Sequence, residues 1–263
     1  MKEKYVVCLF IIVFFLLSSF VFKEKKETPQ EEFTYNFTFP FFKEEKKKEY
    51  LEYKEKTGLS LKESIIHVNI GLNHPFYTNA KETVDKGILT IVNKYNFIPN
   101  DYIPKNLITV NGLSINKEAY NSYLDMKNDM EKENLYIRII SAYRSYDYQE
   151  SLYANYLKSN SQNIVDTYSA RAGYSEHHTG LAIDIDNTKL NYNKFYLTKE
   201  YLWMQDNAYK YGFILRYPKD KDNITGYSFE PWHYRYVGKE VSKYIKEHNI
   251  TYEEYYYEFV DVN

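Results

Sequence analysis

The chain has 263 residues, 44% of them hydrophobic, enough for a real core in one or two domains. Its formal net charge is −2 with lysine and glutamate interspersed, so there is no overall basic field and nucleic acid is excluded as an expected partner. The single cysteine, Cys8, permits no internal disulfide, and the 31 tyrosines and 16 phenylalanines are assigned to packing rather than to an aromatic ligand platform.

Residues 5–22 are apolar almost without break, with Lys2 and Lys4 before them and Lys23, Lys25 and Lys26 after. A helix of that length reaches about 27 Å, close to the roughly 30 Å of a bilayer's hydrocarbon core. The run is longer than the apolar region of a cleavable signal peptide, and Ser18-Ser19-Phe20-Val21-Phe22 offers no small-x-small cleavage site. Residues 1–22 are therefore expected to remain as a membrane anchor rather than to be removed, with Cys8 a bystander inside it. Lysines on both sides leave the orientation open. Residues 23–58, rich in Lys and Glu, suit a linker or stalk, with Phe37 to Phe42 resting on the membrane surface and a charged helix over 42–56.

The folded domain is expected over 59–263. Ser60-Leu61-Lys62-Glu63 has the form of a capping box and marks its first helix. His67 and His74, in or just after that segment, lack a partner at ligand spacing and are assigned structural roles. Between Val84 and Val110 short apolar runs are broken by Asn96, Pro99-Asn100 and Pro104, which predicts strands and loops. Asn116 caps a helix to about Glu133 whose stripe is Ala119, Tyr123, Met126 and Met130.

A strand over 135–140 then delivers Ser141-Ala142-Tyr143-Arg144, and Ser145 starts a helix that places Gln149 about one turn from Arg144. Residues 181–185 alternate as a half-buried strand whose polar face carries Asp184. Thr198 caps a helix carrying Leu202, Trp203, Ala208 and Tyr209 and closed by Gly212; strands follow over 213–217 and 232–237. A helix over 238–248 buries Val241 and Ile245, and Thr251 with Glu254 forms one more capping box.

The chemistry centres on Ser175-Glu176-His177-His178-Thr179-Gly180-Leu181-Ala182-Ile183-Asp184. His177 and Asp184 are metal-ligand types seven positions apart. Side chains alternate along a strand, so His177 must sit on a turn before it, with Gly180 as the bend. Catalytic zinc commonly takes three protein ligands and leaves a fourth position for water. The third is expected at His233 in Phe229-Glu230-Pro231-Trp232-His233, where Glu230, extended before Pro231, can serve as base. Taken alone, His177 could cap a turn, Asp184 pair with a lysine, and Glu230 and His233 belong to a surface strand.

These segments, Ser-x-His-x-x-Gly-x-Ala-x-Asp, then Glu-x-Trp-His, with Tyr143-Arg144-Ser145-Tyr146-Asp147-Tyr148-Gln149 upstream, resemble the VanY-type zinc D-alanyl-D-alanine carboxypeptidases and their LD-carboxypeptidase relatives. The resemblance spans roughly residues 60 to 250. It implies an α+β fold, a mainly antiparallel sheet flanked by helices with the site on its concave side, and one Zn2+ per chain on His177, Asp184 and His233. It assigns the ligand to His177 and leaves His178 at a variable position. It implies Glu230 as general base, Arg144 as oxyanion or carboxylate grip, and Ser175, Gln149 and Tyr217 around the terminal D-alanine. The function it implies is removal of that D-alanine from peptidoglycan stem peptides; with the N-terminal anchor, the protein is expected to be single-pass with its domain outside the membrane, and a monomer. The motifs do not separate cleavage of D-Ala-D-Ala from cleavage of a tetrapeptide's L,D bond. An inactive wall-binding relative is disfavoured by the intact Glu230, and a peptide-cutting relative of the endolysin kind by the anchor.

Overall fold

The computed structural model describes residues 39–187 and 191–262. Helix α1 (Lys47–Thr57) ends on Gly58, whose φ of 74° is left-handed, and α2 (Leu61–Ile70) begins at Ser60. There the Ser60 hydroxyl accepts from Glu63 N–H while the Glu63 carboxylate accepts from Ser60 N–H, the reciprocal cap expected from the sequence. Strand β1 (Lys81–Glu82) runs parallel to β2 (Asn96–Phe97), and β3 (Leu107–Val110) is antiparallel to β4 (Leu113–Asn116). Helix α3 (Lys117–Lys132) is capped by the Asn116 side chain and buries Ala119, Tyr123, Met126 and Met130, the predicted stripe. Then come β5 (Arg138–Ser141), α4 (Tyr146–Leu157), short α5 (Gln162–Val165), β6 (Ala182–Asp186), α6 (Lys199–Asn207) and β7 (Phe213–Leu215). Short α7 (Asp222–Thr225), β8 (His233–Tyr236), α8 (Lys239–His248) and α9 (Tyr252–Phe259) complete the order.

Strands β5, β6, β8 and β7 lie side by side in that order as one antiparallel sheet. On one face Ile183, Ile185, Phe213 and Tyr234 pack against Met126, Met130 and Met204 in one apolar core. The other face carries Asp184 opposite His233 and Ala182 opposite Arg235, because residues paired across a ladder share a face. Ile214, on that same side, belongs to a second core built with Ile65, Val68, Val241 and Tyr252. With apolar clusters on both sides, β6 is buried along its whole length rather than half-exposed. The alternation in 181–185 is real, but both faces are covered. The expected α+β architecture is thus present as a mixed helix and sheet fold, mainly antiparallel apart from the β1–β2 pair.

Three expectations are corrected. The stretch from Phe39 to Gly58 is folded onto the domain and is not stalk: Tyr50 is completely buried and its hydroxyl donates to Asn69 Oδ1 at 2.8 Å. Phe41 is buried, and Phe39 and Phe42 pack on the second core instead of a membrane surface. Two or three aromatic anchors in a charged segment suffice to dock it, and charge density hides them. The helix capped by Thr198 stops at Asn207, and a 3-10 turn over Ala208–Tyr211 carries the chain on to Gly212. The strand expected over 232–237 begins only at His233, because Glu230 to Trp232 form a turn in which His233 N–H donates to Glu230 C=O at 3.2 Å.

The proposed anchor, residues 5–22, lies outside the described residues. Among those described, no helix is long and apolar enough to cross a membrane. One consequence of the caps is directly measurable. Asn116 Oδ1 accepts from the backbone N–H groups of Glu118 and Ala119, so Asn116→Ala should cost about 1 kcal/mol. The urea midpoint should fall while the slope of the transition stays constant.

Candidate metal centre

Three elements deliver the candidate ligands. His177 sits in a 3-10 turn, Glu176–Thr179, closed by Gly180 at φ 69°. The left-handed φ is what makes glycine the fitting residue at this bend; a β-carbon would also push against the tip of the Leu107 side chain. Asp184 lies in β6 and His233 starts β8, directly across the ladder. The expected turn-then-strand placement of His177 and Asp184 is therefore what the chain adopts.

His177 Nε2 and His233 Nδ1 each stand 3.3 Å from Asp184 Oδ1, and the two rings meet edge to face with centroids 4.9 Å apart. One ligand atom from each residue can be chosen so that all lie within 4.8 Å of one another. Asp184 Oδ1 is buried without a hydrogen-bond partner. An orphaned carboxylate oxygen between two imidazole nitrogens is a costly arrangement that a divalent cation relieves. Two nitrogens and one oxygen are also the donor set of catalytic zinc with an open fourth position. The residues present therefore fit the metal.

Each ligand is oriented from behind. The backbone C=O of Ala142 stands 2.6 Å from His177 Nδ1, which donates to it and leaves Nε2 free for the metal. Arg144 Nη2 donates to Asp184 Oδ2 at 2.6 Å, directing Oδ1 inward. Glu230 Oε2 stands 3.5 Å from His233 Nδ1, beside the set without belonging to it.

The electrostatics follow from burial and partners. Burial, reinforced by the Arg144 charge, pushes His177 down to about 4, so its ring is neutral at pH 7. Burial alone would raise Asp184, but His177 and Arg144 beside it hold its carboxyl well below the usual carboxylate range. Burial would likewise lower His233, yet Asp184 and Glu176 outweigh it and push the pKa up to about 9. Glu230, desolvated and next to Asp184, is pushed up to about 8 against the pull of His233.

The remaining sequence-derived residues cluster around this core. Arg144 Nε donates to Ser141 Oγ at 3.0 Å and Nη1 to Gln149 Oε1 at 3.5 Å, while Gln149 Nε2 donates to Ala170 C=O at 2.8 Å. The Tyr217 ring packs on His233 at 4.8 Å between centroids. Ser175 is buried at the head of the 3-10 turn, and its C=O accepts from His178 N–H. His178 is occupied elsewhere: Nε2 accepts from Gly173 N–H at 3.1 Å, so Nδ1 carries the proton that is donated to Arg144 C=O at 2.7 Å. It pins the loop bearing Arg144, as structural histidines do.

Sequence reasoning missed four residues. Glu176 Oε1 accepts from Arg216 Nε at 2.8 Å and Arg235 Nη1 at 2.9 Å, and Arg216 makes a two-pronged pair with Glu253 at 2.8 and 2.5 Å. All four are at most 1% exposed. Glu176 Oε2 in turn faces His233 Nε2 at 3.6 Å.

A buried pair of imidazoles with one carboxylate, backed by a further glutamate, on an antiparallel sheet defines a zinc-hydrolase type of centre. Residues 112–239 match the model of the VanY family, described as D-alanyl-D-alanine carboxypeptidase. YodJ of Bacillus subtilis (strain 168) is 36% identical over 222 residues, covering 77% of this chain and 81% of YodJ. Two solved structures are similar at the level of fold and sequence. The LdcB LD-carboxypeptidase has a TM-score of 0.61 and 39% identity, covering 65% of this chain and 86% of that one. A mutant of the vancomycin-resistance D,D-pentapeptidase VanY in complex with Zn(II) has a TM-score of 0.56 and 34% identity, covering 64% and 97%. The chain belongs to the VanY family of D-alanyl-D-alanine carboxypeptidases.

Proposed function

We propose that this protein is a zinc-dependent D-alanyl-D-alanine carboxypeptidase that removes the terminal D-alanine from peptidoglycan stem peptides. The observation that carries this reading is the convergence of His177, Asp184 and His233 on one unpaired carboxylate oxygen, with Glu230 alongside. Zinc held by those three side chains supplies Lewis-acid activation of a water and of the scissile carbonyl. Glu230 takes the proton of the attacking water and returns it to the leaving amine of D-alanine. Arg144, with Nη2 already on Asp184, turns its remaining donors to the oxyanion or to the substrate carboxylate. Gln149 holds Arg144, and Ser175 and Tyr217 are assigned to the terminal D-alanine and its neighbouring peptide groups.

The second reading, cleavage of the L,D bond of a tetrapeptide, uses the same residues and is favoured by the likeness to LdcB. Release of D-alanine from a pentapeptide ending in D-Ala-D-Ala and from the tetrapeptide, measured side by side, decides between them. The pentapeptide is expected to give the higher kcat/KM. The reverse order would make the protein an LD-carboxypeptidase, and turnover of neither would leave a wall-binding relative.

Metal uptake carries its own signature. His233 is protonated at pH 7 in the metal-free site because its pKa is pushed up to about 9, whereas a ligating imidazole must be deprotonated. Zinc binding at pH 7 should therefore release at least one proton, and affinity should weaken as pH falls below that value. Calorimetry in buffers of different ionisation enthalpy counts the protons. Zero release would contradict the role of His233.

The apolar run over residues 5–22 supports a single-pass anchor, with residues 23–38 as tether and the catalytic domain, as a monomer, outside the cell where the substrate lies. Protease added to intact, wall-stripped cells should degrade the domain. Recovery of a chain beginning near residue 23 from the medium would replace the anchor by a cleaved export signal.

A further inference from the structure

We infer that Glu176 is a positioning residue for the metal site: it fixes His233 in the form that is protonated on Nε2 and offers Nδ1 to the metal. The inference rests on the zinc reading of the site. Its basis is an accounting of buried polar atoms. Glu176 Oε2 and His233 Nε2 are both buried, both lack any hydrogen-bond partner, and face each other at 3.6 Å. Leaving a buried donor and a buried acceptor unpaired is expensive, and a shift of a few tenths of an ångström closes the bond between them. The opposite edge of the same ring aims Nδ1 at Asp184 Oδ1, 3.3 Å away. A carboxylate on the rear nitrogen is the arrangement that orients and enriches a ligating imidazole.

The carboxylate cannot easily turn away from this task. Its other oxygen, Oε1, already accepts from both Arg216 and Arg235. Arg235 is held in turn by the backbone C=O groups of Ile88 and Thr90, and Arg216 by Glu253 at the start of α9. Two guanidinium groups thus lock Glu176 Oε1, and geometry leaves only Oε2 for His233. The C-terminal helix, remote in sequence, braces the metal site through Glu253, Arg216 and Glu176.

Glu176→Gln reverses the polarity of this contact. The amide oxygen must stay on the two arginines, so the amide NH2 takes the place of Oε2. It then points a donor at His233 Nε2, which can pair only by giving up its proton. That favours the form protonated on Nδ1, on the edge meant for the metal. Zinc affinity of the variant, measured by competition with a chromophoric chelator, is expected to fall tenfold to a hundredfold. A Glu176 that merely neutralised the arginines would lower the melting temperature and leave affinity unchanged.

The test uses the full chain labelled with 15N at histidine. In the zinc-loaded wild type, long-range 1H–15N spectra are expected to show His233 bound through Nδ1 with a proton on Nε2. A folded Glu176→Gln with wild-type zinc affinity would overturn the inference, as would a wild-type His233 bound through Nε2. If the variant does not fold, the wild-type spectrum decides alone. Failure of the zinc reading is distinguishable, because then the wild type itself would bind no zinc.

Discussion

Glu230→Gln is expected to keep one zinc per chain while turnover of a peptide ending in D-Ala-D-Ala drops by about a hundredfold to ten-thousandfold, the range that general acid-base help contributes. The substitution preserves volume and leaves His177, Asp184 and His233 untouched, with the Glu230 carboxylate 3.5 Å from His233 but outside the ligand set. What disappears is the group that accepts a proton. In the metal-free site burial pushes this carboxyl up to about 8, and a nearby positive charge favours its ionised form. Loss of zinc in the variant would make Glu230 a ligand; near-normal turnover would make it a bystander.

Glu253→Ala is expected to destabilise the protein by about 3–5 kcal/mol, the cost of stripping one partner from a buried ion pair. Glu253 accepts from both Nη1 and Nη2 of Arg216, and its Oε1 also accepts from Asn93 Nδ2 at 3.2 Å. Neither Arg216 nor Glu253 reaches solvent, so water cannot replace the lost carboxylate. The charge of Arg216 would then be shared with Glu176 alone. Denaturant unfolding measures the loss directly. A change below about 1 kcal/mol would place this pair with screened surface bridges and deny it a bracing role.

The parts of the fold that could be seen in the sequence are those governed by local chemistry. Ser60 with Glu63 and Thr251 with Glu254 form their capping boxes because each depends on residues three apart. The Ala119, Tyr123, Met126 and Met130 stripe is buried because helical period alone sets one face. The His177, Asp184 and His233 set was legible only through the likeness of its motifs to the VanY-type enzymes, and the ladder that puts Asp184 opposite His233 brings two of the three together. What was hidden depends on contacts distant in sequence. Arg216 meets Glu176 across 40 positions and Glu253 across 37, and Arg235 meets Glu176 across 59. Nothing local distinguishes these arginines and glutamates from the solvated charges that surround them. The same reason concealed the docking of residues 39–58, whose abundant lysines and glutamates mask the buried Phe41 and Tyr50. Glu230 was expected to lead straight into the strand that carries His233, but the chain turns at Pro231 and Trp232 and β8 starts only at His233.

The most direct measurement follows D-alanine released from a D-Ala-D-Ala peptide by the full chain while its zinc is removed with a chelator and then returned. Release should fall to background as zinc content approaches zero and recover on addition of about one equivalent, as a three-ligand catalytic site requires. Release that persists in zinc-free protein, or that zinc does not restore, would contradict the assignment of His177, Asp184 and His233 as the catalytic metal site.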